Sequence, residues 1–192
     1  MGDYYLCSEC NNNTGSWYMS EYTKFANVMS ALIQTHKPLH KASYILELEN
    51  IHPLRLFKAI MVMFCDLNHD CFNDEELRNF LLNKESNRFN HQKYSVYMYL
   101  ANSEQKRIWK LAWLHRNDCG GFLISEIASY PLGVLLYIDK PVSYRPQALC
   151  LNELANCGFN DSCKITLALP CYEICSQFPE DYRSKKEFES NA

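Results

Sequence analysis

The sequence predicts an α+β fold in which about three helices pack on an antiparallel sheet of about five strands. Apolar residues recur at helical spacing up to about residue 90, and beyond residue 92 they alternate with a period of two. Short links join the later segments, which favours antiparallel pairing with the helices on one face. A hydrophobic content of 47%, with thirteen Tyr and ten Phe, supplies a core and suits a pleated surface.

Three helices are expected in the first half of the chain. Ser16 is a suitable N-cap for the first, and Pro53 is suited to the first turn of the second. The acidic run after Asn73 caps the third. A short apolar segment between the first two helices is either a strand or a loop. The expected helices span residues 16–34, 54–65 and 74–82, and the ambiguous segment is 44–48.

The second helix is apolar on nearly all sides, which predicts that it is buried. Arg55 and Lys58 are the exceptions, and a buried charge needs a partner. The pattern favours pairing with Glu47, Glu49 or Asp66 over contact with a bound phosphate.

Five strands are expected in the second half. The run Asn117–Gly121 is a strong turn signal between the second and third, and three prolines punctuate the later strands. The expected strands are residues 94–100, 107–114, 122–129, 133–138 and 164–169.

The length of 192 residues suits one domain or a small module joined to a larger one. We divide the chain into a partial zinc knuckle, residues 1–15, and a single α+β body, residues 16–192. The body is expected to be helical over 16–90 and mostly β over 91–175.

The net charge of −3 lacks the basic excess that is typical of nucleic-acid-binding proteins. Basic residues cluster only modestly, and such clusters are more typical of a solvated face than of a binding patch. They lie at Lys106-Arg107, Lys110 and His115-Arg116, and again at Arg183, Lys185 and Lys186.

Ten cysteines raise the question of disulfides or metal. No secretory signal opens the chain, and the longest apolar stretch, residues 60–65, is too short to cross a bilayer. We therefore expect a cytoplasmic protein without membrane contact, with mostly reduced thiols.

Cys7 and Cys10 form half of a tetrahedral zinc site, since zinc takes four ligands from Cys or His. The second pair must come from elsewhere. The five cysteines between residues 150 and 175 are dense but lack the two-residue gap of a knuckle, which favours plain thiols. Six histidines are scattered along the chain.

The segment Leu6–Tyr18 resembles the second knuckle of uncharacterised bacterial HNH-endonuclease-like proteins. The resemblance continues through residues 51–55 and the helix after them, and through residues 178–183. It implies that Cys7 and Cys10 ligate a structural Zn ion. It also implies that Asn11 orients the catalytic base.

Complete members of that family carry an upstream Cys-x-x-Cys and a Glu-His stretch, whose His activates water beside a divalent metal ion. Only six residues precede Cys7 here. The resemblance therefore implies a truncated, split or inactive nuclease component, in which a catalytic divalent metal acts only if the missing half is supplied. A separately encoded N-terminal half is then an expected partner.

The alternative function is a non-enzymatic module that binds protein or nucleic acid, for instance in phage defence or counter-defence. The weakly acidic charge favours a protein partner over DNA or RNA. An aromatic sheet face is either the binding surface or part of the core. It comprises Tyr97, Tyr99, Trp109 and Trp113.

Overall fold

The computed structural model describes residues 8–35, 43–103 and 105–190, and within them it has an α+β architecture. The helices are α1 (Ser8–Thr14), α2 (Ser20–Thr35), α3 (Pro53–Leu67), α4 (Glu75–Leu82) and α5 (Lys185–Ser190). The strands are β1 (Ser43–Ile51), β2 (Tyr94–Ala101), β3 (Arg107–Arg116), β4 (Gly120–Ser129), β5 (Leu132–Ile138), β6 (Leu149–Cys150) and β7 (Cys163–Tyr172). The predicted fold class is confirmed.

The N-terminal helices α1 and α2 are joined by a π-helical turn, Gly15–Met19, into one continuous helical run. A zinc knuckle over residues 1–15 is not confirmed: residues 8–14 are helical, and Cys7 lies outside the described residues. Ser16 lies within the π turn and not at a helix start. Tertiary contacts stabilise this run, because Tyr18 is fully buried and its hydroxyl donates to the carbonyl of Leu81 at 2.7 Å.

Helices α3 and α4 begin where the sequence predicts. Pro53 occupies the first turn of α3, and the Asp74 carboxylate caps α4 by accepting from the Leu77 amide at 2.9 Å. Helix α3 is buried along nearly its whole length and lies at the centre of the main core.

The sheet has seven strands in the order β1-β7-β2-β5-β4-β3, with β6 also paired to β2. The prediction of about five antiparallel strands needs two corrections. Strands β1 and β6 are additional, and β1 contains the segment 44–48, which we left open between strand and loop. Strand β7 also runs parallel to β2 at Leu100–Cys171. Both features depend on long-range pairing, since β1 pairs with β7 across more than a hundred residues, and local patterns do not encode such pairing.

The β3–β4 hairpin confirms the predicted turn. Gly120 has φ +89°, a conformation that side chains rarely adopt. A bulge between Trp109 and Ala112 shifts the register of β3 against β4. Because two residues of β3 oppose one across the bulge, the backbone of this edge strand twists locally.

The two faces of the sheet carry different cores. The helices cover one face with the main core. The other face carries a smaller core rich in aromatic rings, including Tyr99, Phe122 and Tyr137. Residues 173–184, here called the strap, contribute Ile174 and Tyr182 to this second core, and the loop 139–148 contributes Tyr144. No helix in the described ranges is long and apolar enough to span a bilayer.

The two cations of α3 have partners that differ from the expected carboxylates. Arg55 donates to the carbonyl of Phe159 and to the side chain of Asn160, both at 2.9 Å, and lies over the Phe159 ring. Lys58 donates to the carbonyls of Asn83 and Lys84 at 2.9 and 3.1 Å. Neither cation forms a described ion pair with the carboxylates that the sequence suggested. The C-terminal end of α4 supplies carbonyls for Lys58, and residues 159–160 supply the acceptors for Arg55.

Candidate functional site

The strap and the loop 139–148 enclose a polar groove of about 400 Å³ beside the second core. Strand β3 contributes Arg116, strand β7 contributes Tyr172 and helix α5 contributes Glu187. The remaining lining residues are Tyr144, Arg145 and Gln147 from the loop and Glu180, Asp181, Tyr182 and Arg183 from the strap. We call this the arginine–tyrosine groove.

Aromatic rings are layered in the walls of the groove. Tyr172 and Tyr182 stack with ring centroids 4.1 Å apart and an interplanar angle of 18°. Tyr144 packs on Phe122 at 4.8 Å, and the Arg116 guanidinium lies 5.2 Å from the Tyr144 ring centre. Rings that are fixed by other rings form a surface that needs little ordering when a ligand binds.

Two basic clusters that are far apart in the chain meet in this groove. Arg116 comes from the cluster on β3, and Arg183 comes from the C-terminal cluster. Exposed Arg145 lies with them and makes no hydrogen bond or ion pair within the described residues. The local sequence favours solvated faces for these clusters, because it does not show that they converge.

The carboxylates of the groove are each held by the chain itself. Asp181 accepts from Arg183 at 2.6 and 2.9 Å, and Glu187 accepts from the Ser184 amide and hydroxyl. Glu180 accepts from the hydroxyls of Tyr137 and Tyr144. The hydrogen bond from Arg183 holds the pKa of Asp181 well below its usual range.

A fully buried ion pair supports the groove from below. Arg107 Nη2 donates to Glu126 Oε1 at 2.8 Å, and both side chains are 0% exposed. Tyr99 donates to the same carboxylate oxygen at 2.7 Å. Arg107 Nη1 also donates to the carbonyls of Ser176 and Asp181 at 3.3 and 3.0 Å. The pair therefore anchors the strap at two points.

Glu180 occupies an unusual position on the strap. Its φ is +58°, in the left-handed region that non-glycine residues seldom adopt. Its amide donates to Glu126 Oε2 at 3.2 Å, which holds this conformation. Burial raises the pKa of the Glu180 carboxyl, while the two tyrosine hydroxyls act in the opposite direction. Perturbed carboxyls in clefts are candidates for functional sites.

The metal ligands that the sequence predicted remain untested. Cys7 lies outside the described residues. Cys10 is half-buried on α1 and packs against the main core, and Asn11 is exposed on the same helix. In residues 8–35, 43–103 and 105–190, no three His, Cys, Asp or Glu side chains come together as a group able to hold a metal ion. The proposed roles of Cys7, Cys10 and Asn11 therefore stay predictions.

The four aromatic residues proposed as one surface do not share one. Tyr99 is fully buried, and Tyr97 packs on Tyr137 at 5.4 Å. Trp109 is half-buried, and its indole N–H donates to the carbonyl of Gln177 in the strap. Trp113 is 66% exposed and pairs with Leu123, whose side chain packs against the main core on the opposite face.

A second concavity of about 1010 Å³ lies beside α4 and the loop that follows it. Its polar lining is dominated by asparagines, and Asn90 is already bonded to Glu76 at 2.8 Å. Arg88 is its one arginine among the described lining residues. The arginine–tyrosine groove, with three arginines among its described lining residues, is therefore the better candidate for a binding site.

Comparison of the chain with protein-family models, with curated proteins and with solved structures gives no match. The assignment of a site therefore depends on geometry. The sequence carries no signal for Glu126, Tyr137 and Tyr144, which support or line the groove, and it showed Arg107 only as part of a basic cluster. Glu180 lies in the segment 178–183, which was included in the resemblance to HNH-endonuclease-like proteins and belongs to the C-terminal half of the strap.

Proposed function

We propose that the protein is a nucleic-acid-binding module that holds a single-stranded segment in the arginine–tyrosine groove. The observation that carries the proposal is the convergence of Arg116, Arg145 and Arg183 around layered tyrosine rings. Proteins that bind single strands combine cations for the phosphates with aromatic faces for the bases. Stacked tyrosines and an arginine without a partner in the described residues supply both kinds of contact here.

The shape of the groove favours a single strand over a duplex. Duplex DNA is read by an element that protrudes into its grooves, typically a helix or a β-ribbon. Here the arginines line a concavity, and its volume of about 400 Å³ lies in the range of sites for small molecules. A splayed nucleotide meets these constraints. The three arginines of the groove are balanced by Glu180, Asp181 and Glu187. Each of these carboxylates is hydrogen-bonded within the chain, which leaves Arg145 as the arginine without a described partner.

Fluorescence anisotropy with labelled oligo-dT, oligo-U and a duplex of equal length tests the proposal. We expect both single strands to bind more tightly than the duplex, with affinity that falls as salt rises. Arg145→Ala should weaken single-strand binding by about threefold to tenfold and reduce the salt dependence, because one phosphate contact is lost. Arg88→Ala, a change of an exposed arginine beside α4, is the matched control and should leave binding unchanged.

Two outcomes would overturn this proposal. One is equal binding by wild type and Arg145→Ala, which would place the nucleic acid elsewhere. The other is binding of an acidic peptide, such as oligo-Glu, with no binding of any oligonucleotide, which would assign the groove to an acidic protein partner.

The hypothesis of an HNH-type nuclease component is compatible with this proposal. Its support is the resemblance itself, which includes residues 180–183 of the groove. We propose that any phosphodiester hydrolysis depends on a metal-bearing half supplied separately, since the described residues bring no metal-ligating group together. Zinc content of wild type and Cys7→Ser/Cys10→Ser, with a divalent-dependent cleavage assay, tests this hypothesis.

A further inference from the structure

The base of the groove places two carboxylates beside one buried cation. Glu126 is paired with Arg107 and bonded to Tyr99. Its second oxygen accepts from the amide of Glu180, so that the strap carries a second carboxylate to the same place. With both acids ionised, these three side chains have a net charge of −1.

Glu180 is the carboxylate of this group that forms no described ion pair, although the charge of Arg116 acts on it from a greater distance. Within the described part of the chain, no Lys or Arg forms an ion pair with it, and its hydrogen bonds come from the neutral hydroxyls of Tyr137 and Tyr144. Glu126 in contrast has Arg107 at 2.8 Å. Of the two carboxylates at the floor of the groove, Glu180 is therefore the one expected to take up a proton.

Glu180 also lines the groove that receives the ligand, together with Arg116, Arg145 and Arg183. A phosphate bound by these arginines is placed near the Glu180 carboxyl. An ionised carboxylate repels the phosphate, and a protonated carboxyl does not. We propose that the arginine–tyrosine groove binds anionic strands with uptake of one proton by Glu180, so that affinity falls as pH rises. This inference depends on the proposed function.

The direction in which affinity changes with pH follows from the linkage between proton binding and anion binding. If protonated Glu180 favours the anion, the bound anion favours protonated Glu180 by the same factor. The raised pKa of the free carboxyl, which burial causes, is in the direction that brings this titration toward neutral pH. Affinity is then highest below the pKa of free Glu180 and declines above it, until the pKa of the complex is passed.

Other titratable or charged groups face Glu180 from every element around it. Burial raises the pKa of each tyrosine above its usual value, so the tyrosines stay protonated between pH 5.5 and 8.5. Burial also lowers the pKa of Lys140, which makes this lysine the main competing explanation because its loss of charge also weakens anion binding. The groups that act on Glu180 are Arg116 on β3, Glu126 on β4, Tyr137 on β5, Tyr97 on β2, Lys140 and Tyr144 on the loop, and Tyr182 on the strap. The groove adds Arg145 on the loop, Asp181 and Arg183 on the strap and Glu187 on α5, and Arg107 pairs with Glu126.

Oligo-dT is the appropriate probe, because thymine does not titrate between pH 5.5 and 8.5. Its dissociation constant is measured across that range for wild type, Glu180→Gln and Lys140→Met, after circular dichroism has shown that each variant is folded. We expect wild-type affinity to fall by about tenfold or more with rising pH. Glu180→Gln should bind with nearly constant affinity, and Lys140→Met should keep the wild-type dependence.

Proton uptake is measured independently on the wild type, so that the test does not depend on the stability of a variant. Titration calorimetry in two buffers of different ionisation heat should show uptake of up to one proton per strand, and the side-chain carboxyl ¹³C resonance of Glu180 should titrate at higher pH in the complex.

The possible results separate the two proposals. Binding of oligo-dT with the same pH dependence in wild type and Glu180→Gln, or without proton uptake, would overturn the proton linkage and leave the binding function standing. Loss of the pH dependence in Lys140→Met would assign the proton to Lys140 and also overturn it. Absence of oligonucleotide binding at every pH would overturn the proposed function, and the linkage with it.

Discussion

At the scale of single residues, Lys58 shows how a charge is accommodated in an apolar helix. Its side chain is fully buried, and its ammonium group donates to two carbonyls at the end of α4. The rings of Phe80 and Tyr18 lie 4.5 and 5.6 Å from it. Burial lowers the pKa of Lys58 to about 7. The charged form is tolerated near neutral pH because carbonyls and aromatic faces surround it and because the Glu85 carboxylate favours the cation.

We predict that the stability contributed by Lys58 depends on pH. Between about 7 and about 10.4, the folded protein holds one proton fewer than the unfolded chain, so a rise in pH favours folding across this window. The unfolding free energy of wild type minus that of Lys58→Met should therefore rise by about 1–3 kcal/mol from pH 6 to pH 9. Urea unfolding at both pH values measures it.

The neighbouring Lys84→Met is the control for this prediction. Lys84 is exposed, and the difference in unfolding free energy between wild type and Lys84→Met should be the same at pH 6 and pH 9. An equal free-energy difference for Lys58→Met at pH 6 and pH 9 would show that Lys58 stays charged in the folded protein throughout this range.

At the scale of elements, the central strands depend on a glycine. Gly133 on β5 lies directly opposite Tyr99 on β2, and a Cβ atom at Gly133 would lie 2.0 Å from the Tyr99 ring. The missing side chain lets the ring cross β5, so that its hydroxyl reaches Glu126 on β4. Glycine is required here by close approach, and not by an unusual backbone angle.

We predict opposite effects for two Gly→Ala changes. Gly133→Ala should lower the unfolding free energy by about 1–3 kcal/mol, because the Tyr99 ring must shift. Gly15→Ala should raise it by up to about 1 kcal/mol, since Gly15 is helical and its added Cβ would meet no atom within 4 Å. Thermal and urea unfolding measure both changes. Loss of stability in both variants would indicate that the π turn itself needs glycine.

The outer strand β3 illustrates why the edge of the sheet is not itself a pairing site. Its bulge between Trp109 and Ala112 interrupts the ladder, and Lys110 is exposed within it. The amide of Leu111 is already bonded to the Asn68 side chain at 2.6 Å. Bulges and lysines are the usual means by which edge strands avoid pairing with other chains.

At the scale of the whole molecule, the pair Arg107–Glu126 connects the sheet to the strap. Arg107 bonds two strap carbonyls, and Glu126 bonds the strap amide of Glu180. The groove is therefore formed by a segment that has little secondary structure of its own. Its geometry depends on buried polar contacts, and loss of one partner leaves an uncompensated charge.

We predict that Glu126→Gln and Arg107→Met each lower the unfolding free energy by about 3–5 kcal/mol. The double variant should cost less than the sum of the two, because neither charge is then left alone. Urea unfolding of the four proteins gives the coupling energy. Glu47→Gln, which removes the exposed Lys164–Glu47 pair, should change stability by less than about 1 kcal/mol. Strict additivity in the cycle would contradict a direct interaction between Arg107 and Glu126.

Much of the fold could be predicted because its signals are local. The first-turn proline of α3, the Asp74 cap of α4 and the five later strands all follow from patterns within a few residues. Strand β1 was left open between strand and loop, since its partner β7 lies far along the chain. The extension of the first helix back to Ser8 was missed because residues 1–15 were assigned to a zinc knuckle, whereas burial of Tyr18 and Thr14 favours helical continuity.

The sequence by itself determined the α+β class, the first-turn proline of α3, the Asp74 cap of α4, the β3–β4 turn and the basic clusters, because propensity, periodicity and turn chemistry act over short distances. Only the tertiary structure decided that Arg116 and Arg183 line one groove, and that Glu180 lies against Glu126. It also decided that Lys58 is held by carbonyls. These relations depend on how the chain returns on itself, and the free energy of a buried charge depends on the partners that this return provides.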